Sequence, residues 1–179
     1  MSILYVSFYT PNYRREALGL VETLDRFGLE YAVTQVEDRG TWEKNCAHKP
    51  AFMRKLMVAH DQPIVWLDAD ARVRQKPELF EQLNESVDLA CHFRHGVELL
   101  SGTVFVNNTS SGWKLLKSWV DECEKHPAEW DQKCLARVLQ EGKYGVYHLP
   151  AEYCRVFDDP KMGEPVIEHL QASRRLKTK

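Results

Sequence analysis

Long apolar runs are missing from this sequence, and no stretch approaches the roughly 20 apolar residues that a membrane-crossing helix needs. Met1 to Phe8 lacks the basic start of a secretory signal and reads as a first strand instead. Net charge is also nearly absent. The 24 Lys and Arg against 26 Asp and Glu leave −2 at pH 7, so no global field draws nucleic acid or an anionic membrane. No CxxC pair occurs among Cys46, Cys91, Cys123, Cys134 and Cys154. Five thiols so widely spaced exclude the common zinc frameworks and suit a reducing cytoplasm, which is the expected location. Glycine is sparse, at 9 residues, and Tyr9-Thr10-Pro11-Asn12 stands where a nucleotidyltransferase carries a glycine-rich basic loop. Internal repeats, low-complexity tracts and linkers are absent as well, so residues 1–179 read as one domain.

What remains is an ordinary globular composition, 44% apolar and 28% charged. Apolar strands alternate with amphipathic helices. Ile3 to Phe8 predicts a strand buried on both faces. Asn12 is placed to cap a helix in which Ala17, Leu20, Val21, Leu24 and Phe27 recur at helical spacing, with Gly28 closing it. Tyr31 to Val36, Pro63 to Leu67, Val87 to Phe93, Thr103 to Val106 and Tyr144 to His148 predict further strands. Helices are expected after Pro50, from Pro77 to Leu83, along Trp113–Cys123 and along Trp130–Leu139. Trp113, Trp119 and Trp130 read as helix-core residues and Trp42 as part of a polar loop. Pro165-Val166-Ile167 reads as a short strand before His169. This order predicts an α/β fold, a Rossmann-type three-layer sandwich with a mixed, mostly parallel central sheet. Ligands of such sheets bind at the carboxyl ends of strands.

The third strand runs straight into Asp68-Ala69-Asp70. At period two, both carboxylates can point to one side of an extended segment, and they repel unless a cation lies between them. Oxygen ligands favour Mg²⁺ or Mn²⁺, and such an ion can bridge two phosphates and take up charge on a leaving group. A solvent-facing acidic turn is the plainer alternative.

The run Ile64-Val65-Trp66-Leu67-Asp68-Ala69-Asp70 resembles the metal-binding strand of GT-A-fold glycosyltransferases, in particular nucleotide-diphospho-sugar transferases and their glycogenin-like relatives. Five more segments in the same order strengthen the resemblance. They are Cys46 to Phe52 around Lys49, Pro77 to Phe80, Ser101 to Asn107, Trp130-Asp131-Gln132 and Leu149-Pro150 with Tyr153. Pro165 to His169 is similar to the run that delivers a third metal ligand.

The resemblance implies a GT-A-like domain that moves a sugar, commonly from a UDP-hexose and with retention, to an acceptor hydroxyl. It implies Asp68, Asp70 and His169 as metal ligands, with Mn²⁺ suiting the imidazole better than Mg²⁺. It implies a nucleotide or phosphate contact for Lys49 and a seat for the base at Tyr9 and Thr10. Ala69, Ser101 and Gly102 would line the donor, and Asp131 and Gln132 the transferred sugar and the acceptor. Arg174 or Lys177 would take the phosphate, because the relatives' Gly-x-x-Lys-Pro-Trp run is replaced here by Ser173-Arg174-Arg175-Leu176-Lys177. Each has a structural alternative: a surface lysine, turn packing, or an aspartate that complements a helix dipole. His92 and His95 flank a strand end within possible reach of an acceptor. The chain is short for such an enzyme, so a partner protein or a homo-oligomer is expected to complete the acceptor site.

Two rival readings stay open on the sequence. Strand-Asp68-Ala69-Asp70-Ala71-Arg72 is close to the nucleophile segment of haloacid-dehalogenase phosphohydrolases, with Asp158-Asp159 as a late acidic pair. That segment normally ends the first strand, whereas at least two strands precede it here. The other rival is a binding-only domain on the same fold.

Overall fold

The computed structural model describes residues 2–157 and 164–176. Nine strands and seven α-helices are present among them: β1 (Leu4–Tyr9), α1 (Arg14–Arg26), β2 (Tyr31–Gln35), α2 (Trp42–Ala47), α3 (Lys49–His60), β3 (Ile64–Leu67), β4 (Ala71–Val73), α4 (Leu79–Gln82), β5 (Leu89–Arg94), β6 (Glu98–Val106), α5 (Ser110–Lys125), α6 (Asp131–Gln140), β7 (Val146–His148), β8 (Arg155–Val156), β9 (Ile167–His169) and α7 (Ser173–Leu176).

The main sheet runs β2-β1-β3-β6-β5-β7, and a small second sheet runs β4-β9-β8. β1 pairs in parallel with β2 and β3, and β5 with β7, while β6 lies antiparallel to both β3 and β5. The sheet is therefore mixed and mostly parallel, as expected from the strand–helix alternation. Side chains alternate across it. Leu4, Val6, Ile64 and Trp66 face one core with Met53 and Met57 of α3, Leu115, Leu116 and Trp119 of α5, and Leu135 of α6. Tyr5, Val65 and Leu67 face the other, with Leu20 and Leu24 of α1, Phe80 of α4, and Ile167 of β9. Each fully buried Leu- or Met-sized side chain contributes about 2 kcal/mol of transfer free energy. Two cores around one sheet make three layers, because an apolar strand with no polar face must be covered twice.

Several local expectations differ from the structure. Asn12 caps no helix; it sits in a 3₁₀ turn, Pro11–Tyr13, and its Oδ1 accepts a bond from Thr10 Oγ1 at 2.6 Å. The segment around Trp42 is α2 rather than a loop, because Thr41 Oγ1 accepts from Lys44 N at 3.3 Å and caps it. β6 begins at Glu98, five residues before Thr103, since its first half pairs back on β5 in a hairpin. β9 includes His169 instead of ending before it. β4 and β8 are too short to carry a pattern of their own.

One irregularity shapes the site. The β5–β6 register shifts between Cys91, opposite Val104, and His92, opposite Leu100. Ser101, Gly102 and Thr103 are thus extra residues on β6. A bulge of this kind bends the strand and frees main-chain groups for other work. Here the Gly102 carbonyl accepts Asp68 N at 2.9 Å, and the Ser101 carbonyl accepts Lys49 Nζ at 2.9 Å.

Candidate active site

The carboxyl end of β3 passes into a turn in which Ala71 N donates to the Asp68 carbonyl at 2.8 Å. Asp68 and Asp70 therefore do not converge by strand alternation. The turn brings them together and hands the chain to β4. β4 pairs antiparallel with β9, with Ala71 opposite His169. That pairing delivers the imidazole from a distant part of the sequence to the residue next to Asp70.

The His169 ring is buried. Its Nε2 lies 2.9 Å from Thr103 Oγ1, and its Nδ1 lies 3.9 Å from Asp70 Oδ1. A Cβ on Gly102 would stand 2.9 Å from His169 Cε1, so the glycine leaves the space that the ring occupies. Asp68, Asp70 and His169 each offer a ligand atom, all within 4.8 Å of one another. The 3.9 Å gap is too long for a hydrogen bond, yet shorter than two metal–ligand bonds end to end, about 4.2 Å.

Charge fits the same reading. Burial works against ionisation of Asp70, but the nearby His169 imidazole and the Ala172 N–H outweigh it and hold its carboxyl below the ordinary value. Burial works against a charged His169 as well; Cys154, Asp70 and Asp68 around it nonetheless push the imidazole up to about 10. A buried ring that keeps a proton so tightly lies in excess negative potential. Two carboxylates and an imidazole are a donor set that suits Mn²⁺.

Lys49 opens α3, with Pro50 in the first turn where its missing N–H is no loss. Its side chain is 4% exposed. The ammonium stands 2.8 Å from Asp131 Oδ2, 3.2 Å from Asp68 Oδ1, 2.9 Å from the Ser101 carbonyl and 3.2 Å from Ser101 Oγ. It also lies 5.1 Å from the centre of the Trp66 ring. Burial opposes its charge, but Asp131 and Asp68 prevail and raise its pKa above the usual lysine value. Asp68 Oδ1 takes a further bond from Trp66 Nε1 at 2.7 Å. Asp131, at the start of α6, is buried; its backbone carbonyl is held by Trp119 Nε1 at 2.9 Å. Gln132 Oε1 accepts Ser101 N at 3.2 Å. Asp131 is thus not simply a helix-dipole residue but half of a buried ion pair.

A cleft of about 390 Å³ gathers these groups. Tyr9, Thr10, Lys49, Asp68, Ala69, Asp70, Ser101, Gly102, Asp131, Gln132, His169 and Arg174 all line it. Lys177 and Asp158-Asp159 lie outside the described residues. His92 and His95 are not part of the lining; His92 Nδ1 is engaged by the Leu149 carbonyl at 2.8 Å.

Sequence reasoning missed several contributors. Tyr13, in the 3₁₀ turn after β1, lines the cleft, and burial followed by the nearby Asp70, Cys46 and Asp68 pushes its phenol up to about 12. Its signal was the Pro11 that starts the turn two residues earlier. Trp130 does not sit in a helix core. It precedes α6, lines the cleft and meets Trp42 edge-to-face at 5.4 Å. No simple signal pairs those two tryptophans, which come from α2 and from the loop before α6. Cys154, from the turn before β8, also reaches the cleft wall.

A family model described as nucleotide-diphospho-sugar transferase matches residues 29–175. A search of curated proteins found no match. Among solved structures, a glycosyltransferase involved in the glycosylation of the major capsid of PBCV-1 aligns with a TM-score of 0.78 at 13% identity, covering 96% of this chain and 93% of that one. The galactosyltransferase LgtC, in complex with donor and acceptor sugar analogs, aligns with a TM-score of 0.66 at 12% identity, covering 93% and 86%. The apo form of GlyE from Streptococcus pneumoniae aligns with a TM-score of 0.65 at 18% identity over 94% of this chain and 54% of that one. Identities this low speak to the fold alone. The family match covers most of the chain and leaves the phosphohydrolase reading without support. This protein belongs to the nucleotide-diphospho-sugar transferase family and is a nucleotide-sugar-dependent glycosyltransferase of GT-A fold.

Proposed function

We propose that this enzyme uses Mn²⁺, or Mg²⁺ in its place, to move a hexose from a UDP-sugar to an acceptor hydroxyl with retention of configuration. The observation that carries the reading is the meeting of Asp68, Asp70 and His169 within 4.8 Å of one another at the carboxyl end of β3. These three residues would hold the cation, which when bound supplies charge to the departing diphosphate.

The remaining work falls to the chain itself. Tyr9, Thr10 and Tyr13 line the cleft at the end of β1 and just beyond it, and a tyrosine there would stack on the base. The bulge at Ser101 and Gly102, with Ala69 opposite, lets the donor approach main chain closely. Asp131 Oδ2 is buried and has no hydrogen-bond partner of good geometry, although Lys49 Nζ stands 2.8 Å away. Asp131 therefore acts through the ammonium that it holds, and Gln132 beside it lines the place for donor sugar and acceptor. Lys49 bridges Asp131 and Asp68 and holds both carboxylates in place. Arg174 brings cationic charge to the cleft wall and neutralises the diphosphate, a role for which Lys177 is the alternative. The resemblance to glycogenin-like transferases supports retention. All five cysteines are free, which suits a reducing cytoplasm. Among the described residues no helix is long and apolar enough to cross a membrane.

Calorimetric titration of UDP and of GDP, each with Mn²⁺, with Mg²⁺ and with EDTA, tests the proposal. Metal-dependent micromolar binding of UDP is expected. Equal binding in EDTA would remove the metal from the reading, and preference for GDP would replace the donor.

A further inference from the structure

Glu16 touches none of the residues assigned a role above except through arginine. It lies in the first turn of α1, 8% exposed, and both carboxylate oxygens are engaged. Oε2 holds Arg72 NH2 at 3.0 Å, and Oε1 holds Arg175 NH2 at 2.8 Å. Arg72 is itself fixed, because its NH1 donates to the Glu16 carbonyl at 3.1 Å and to the Ala71 carbonyl at 2.7 Å. Its guanidinium fills the space beside Gly19, where any Cβ would collide with it. One oxygen of Glu16 is thus spent on a rigid partner in β4, which aims the other at α7.

α7 has only four residues, too few to hold a helical turn on their own. Upstream it is anchored to Asp70, whose carbonyl accepts Leu170 N at 3.2 Å and whose Oδ2 accepts Ala172 N at 2.7 Å. Beyond Ala172, the rotation of the turn decides where Arg174 points. Successive helical residues project about 100° apart, so a turn that directs Arg175 at α1 directs Arg174 elsewhere. In this structure Arg174 faces the cleft and its guanidinium lies 5.9 Å from the Phe157 ring centre.

We infer that Glu16 is a positioning residue for the donor diphosphate: by gripping Arg175 it fixes the rotation of α7 that presents Arg174 to the cleft. The inference rests on the proposed nucleotide-sugar reading of that cleft. It adds to the donor site a carboxylate on the opposite side of the chain's C-terminal segment, one that never meets the donor.

The test uses the full chain with Mn²⁺, titrated with UDP and GDP, and with uridine and guanosine as phosphate-free controls. Arg175→Gln is the first variant, because its side chain is 61% exposed and its loss leaves the fold in place. Affinity for the diphosphate that wild type binds should fall about tenfold, with nucleoside affinity and melting temperature unchanged. Glu16→Gln should give the same fall. In an Arg174→Gln background, Arg175→Gln should have no further effect, since the residue it orients is already gone. An unchanged diphosphate affinity in Arg175→Gln, or a full additional loss in the Arg174→Gln background, would overturn the inference while leaving the donor reading intact. Equal losses for diphosphate and nucleoside would reduce Glu16 to a structural role and overturn it too. No binding of either diphosphate by wild type would overturn both.

Discussion

The two ends of the cleft floor differ in how their charge is balanced. At one end Lys49 meets Asp131 and Asp68 within 3.2 Å, buried and closed on itself. At the other, Asp70 and Asp68 face an imidazole from a second sheet, with Nδ1 3.9 Å from Asp70 Oδ1. The first end is complete before any ligand arrives. The second has donors in excess of positive charge and is where the proposed cation would sit. Asp68 belongs to both, its Oδ1 fixed by Lys49 and Trp66 while its side chain stays 42% exposed to the cleft. One end therefore sets the geometry of the other, which is how a preassembled scaffold limits reorganisation when charge develops in the reaction.

Breaking the closed end should have the largest effect. Lys49→Met leaves two carboxylates facing each other with no cation, one of them fully buried. Removing one partner of a buried pair costs about 3–5 kcal/mol, or roughly 10 °C in melting temperature for a chain of this size. Adding Asp131→Asn to Lys49→Met should restore most of that stability without restoring transfer. If thermal melting showed no loss in the single variant, the pair would not be the structural element described here.

Breaking the open end should leave stability alone and remove binding. Asp68→Asn keeps the Lys49–Asp131 pair, so the melting temperature should stay within about 2 °C of wild type. Metal-dependent nucleotide affinity should fall by at least about 100-fold. Full activity in this variant would dismiss the metal role of Asp68. A smaller change sharpens the point. Gly102→Ala puts a methyl 2.9 Å from the His169 ring and must shift that ring. Mn²⁺ affinity should drop about tenfold, read by competition with a fluorescent chelator, with no change in the Lys49 end.

How much of this was legible in the sequence follows the same division. β3 and its acidic end were readable because four apolar residues lead directly into Asp68-Ala69-Asp70, and resemblance brought in Lys49, Asp131 and His169. The reason for their meeting was not readable. Asp68 and Asp70 converge through a turn, not through strand alternation. His169 arrives by pairing of two three-residue strands, β4 and β9, too short to show a period. The bulge that frees the Ser101 and Gly102 carbonyls depends on register with β5, which no local pattern encodes. Tyr13 was overlooked and Trp130 misjudged for a related reason: a 3₁₀ turn and the residue before a helix point side chains where helical periodicity does not.

A further contrast separates the two ends by pH. Without metal, His169 is raised from the ordinary imidazole value to about 10, because the acidic groups around it outweigh burial. A group whose folded pKa exceeds its unfolded value stabilises the fold fully below the unfolded value, about 6.5, and that contribution is lost as pH rises through the folded one. Metal-free protein should therefore melt progressively lower as pH rises from about 6.5 to about 10. A metal-bound imidazole must be neutral, so Mn²⁺ binding displaces the proton. With saturating Mn²⁺ the same pH interval should show a flatter melting curve, and Mn²⁺ affinity itself should rise with pH. Lys49 is raised above the range of this experiment, so its own titration adds no slope there. A melting temperature that falls equally with and without Mn²⁺ would mean that His169 is not among the residues the cation meets, and the contrast between the two ends would then rest on Asp68 and Asp70 alone.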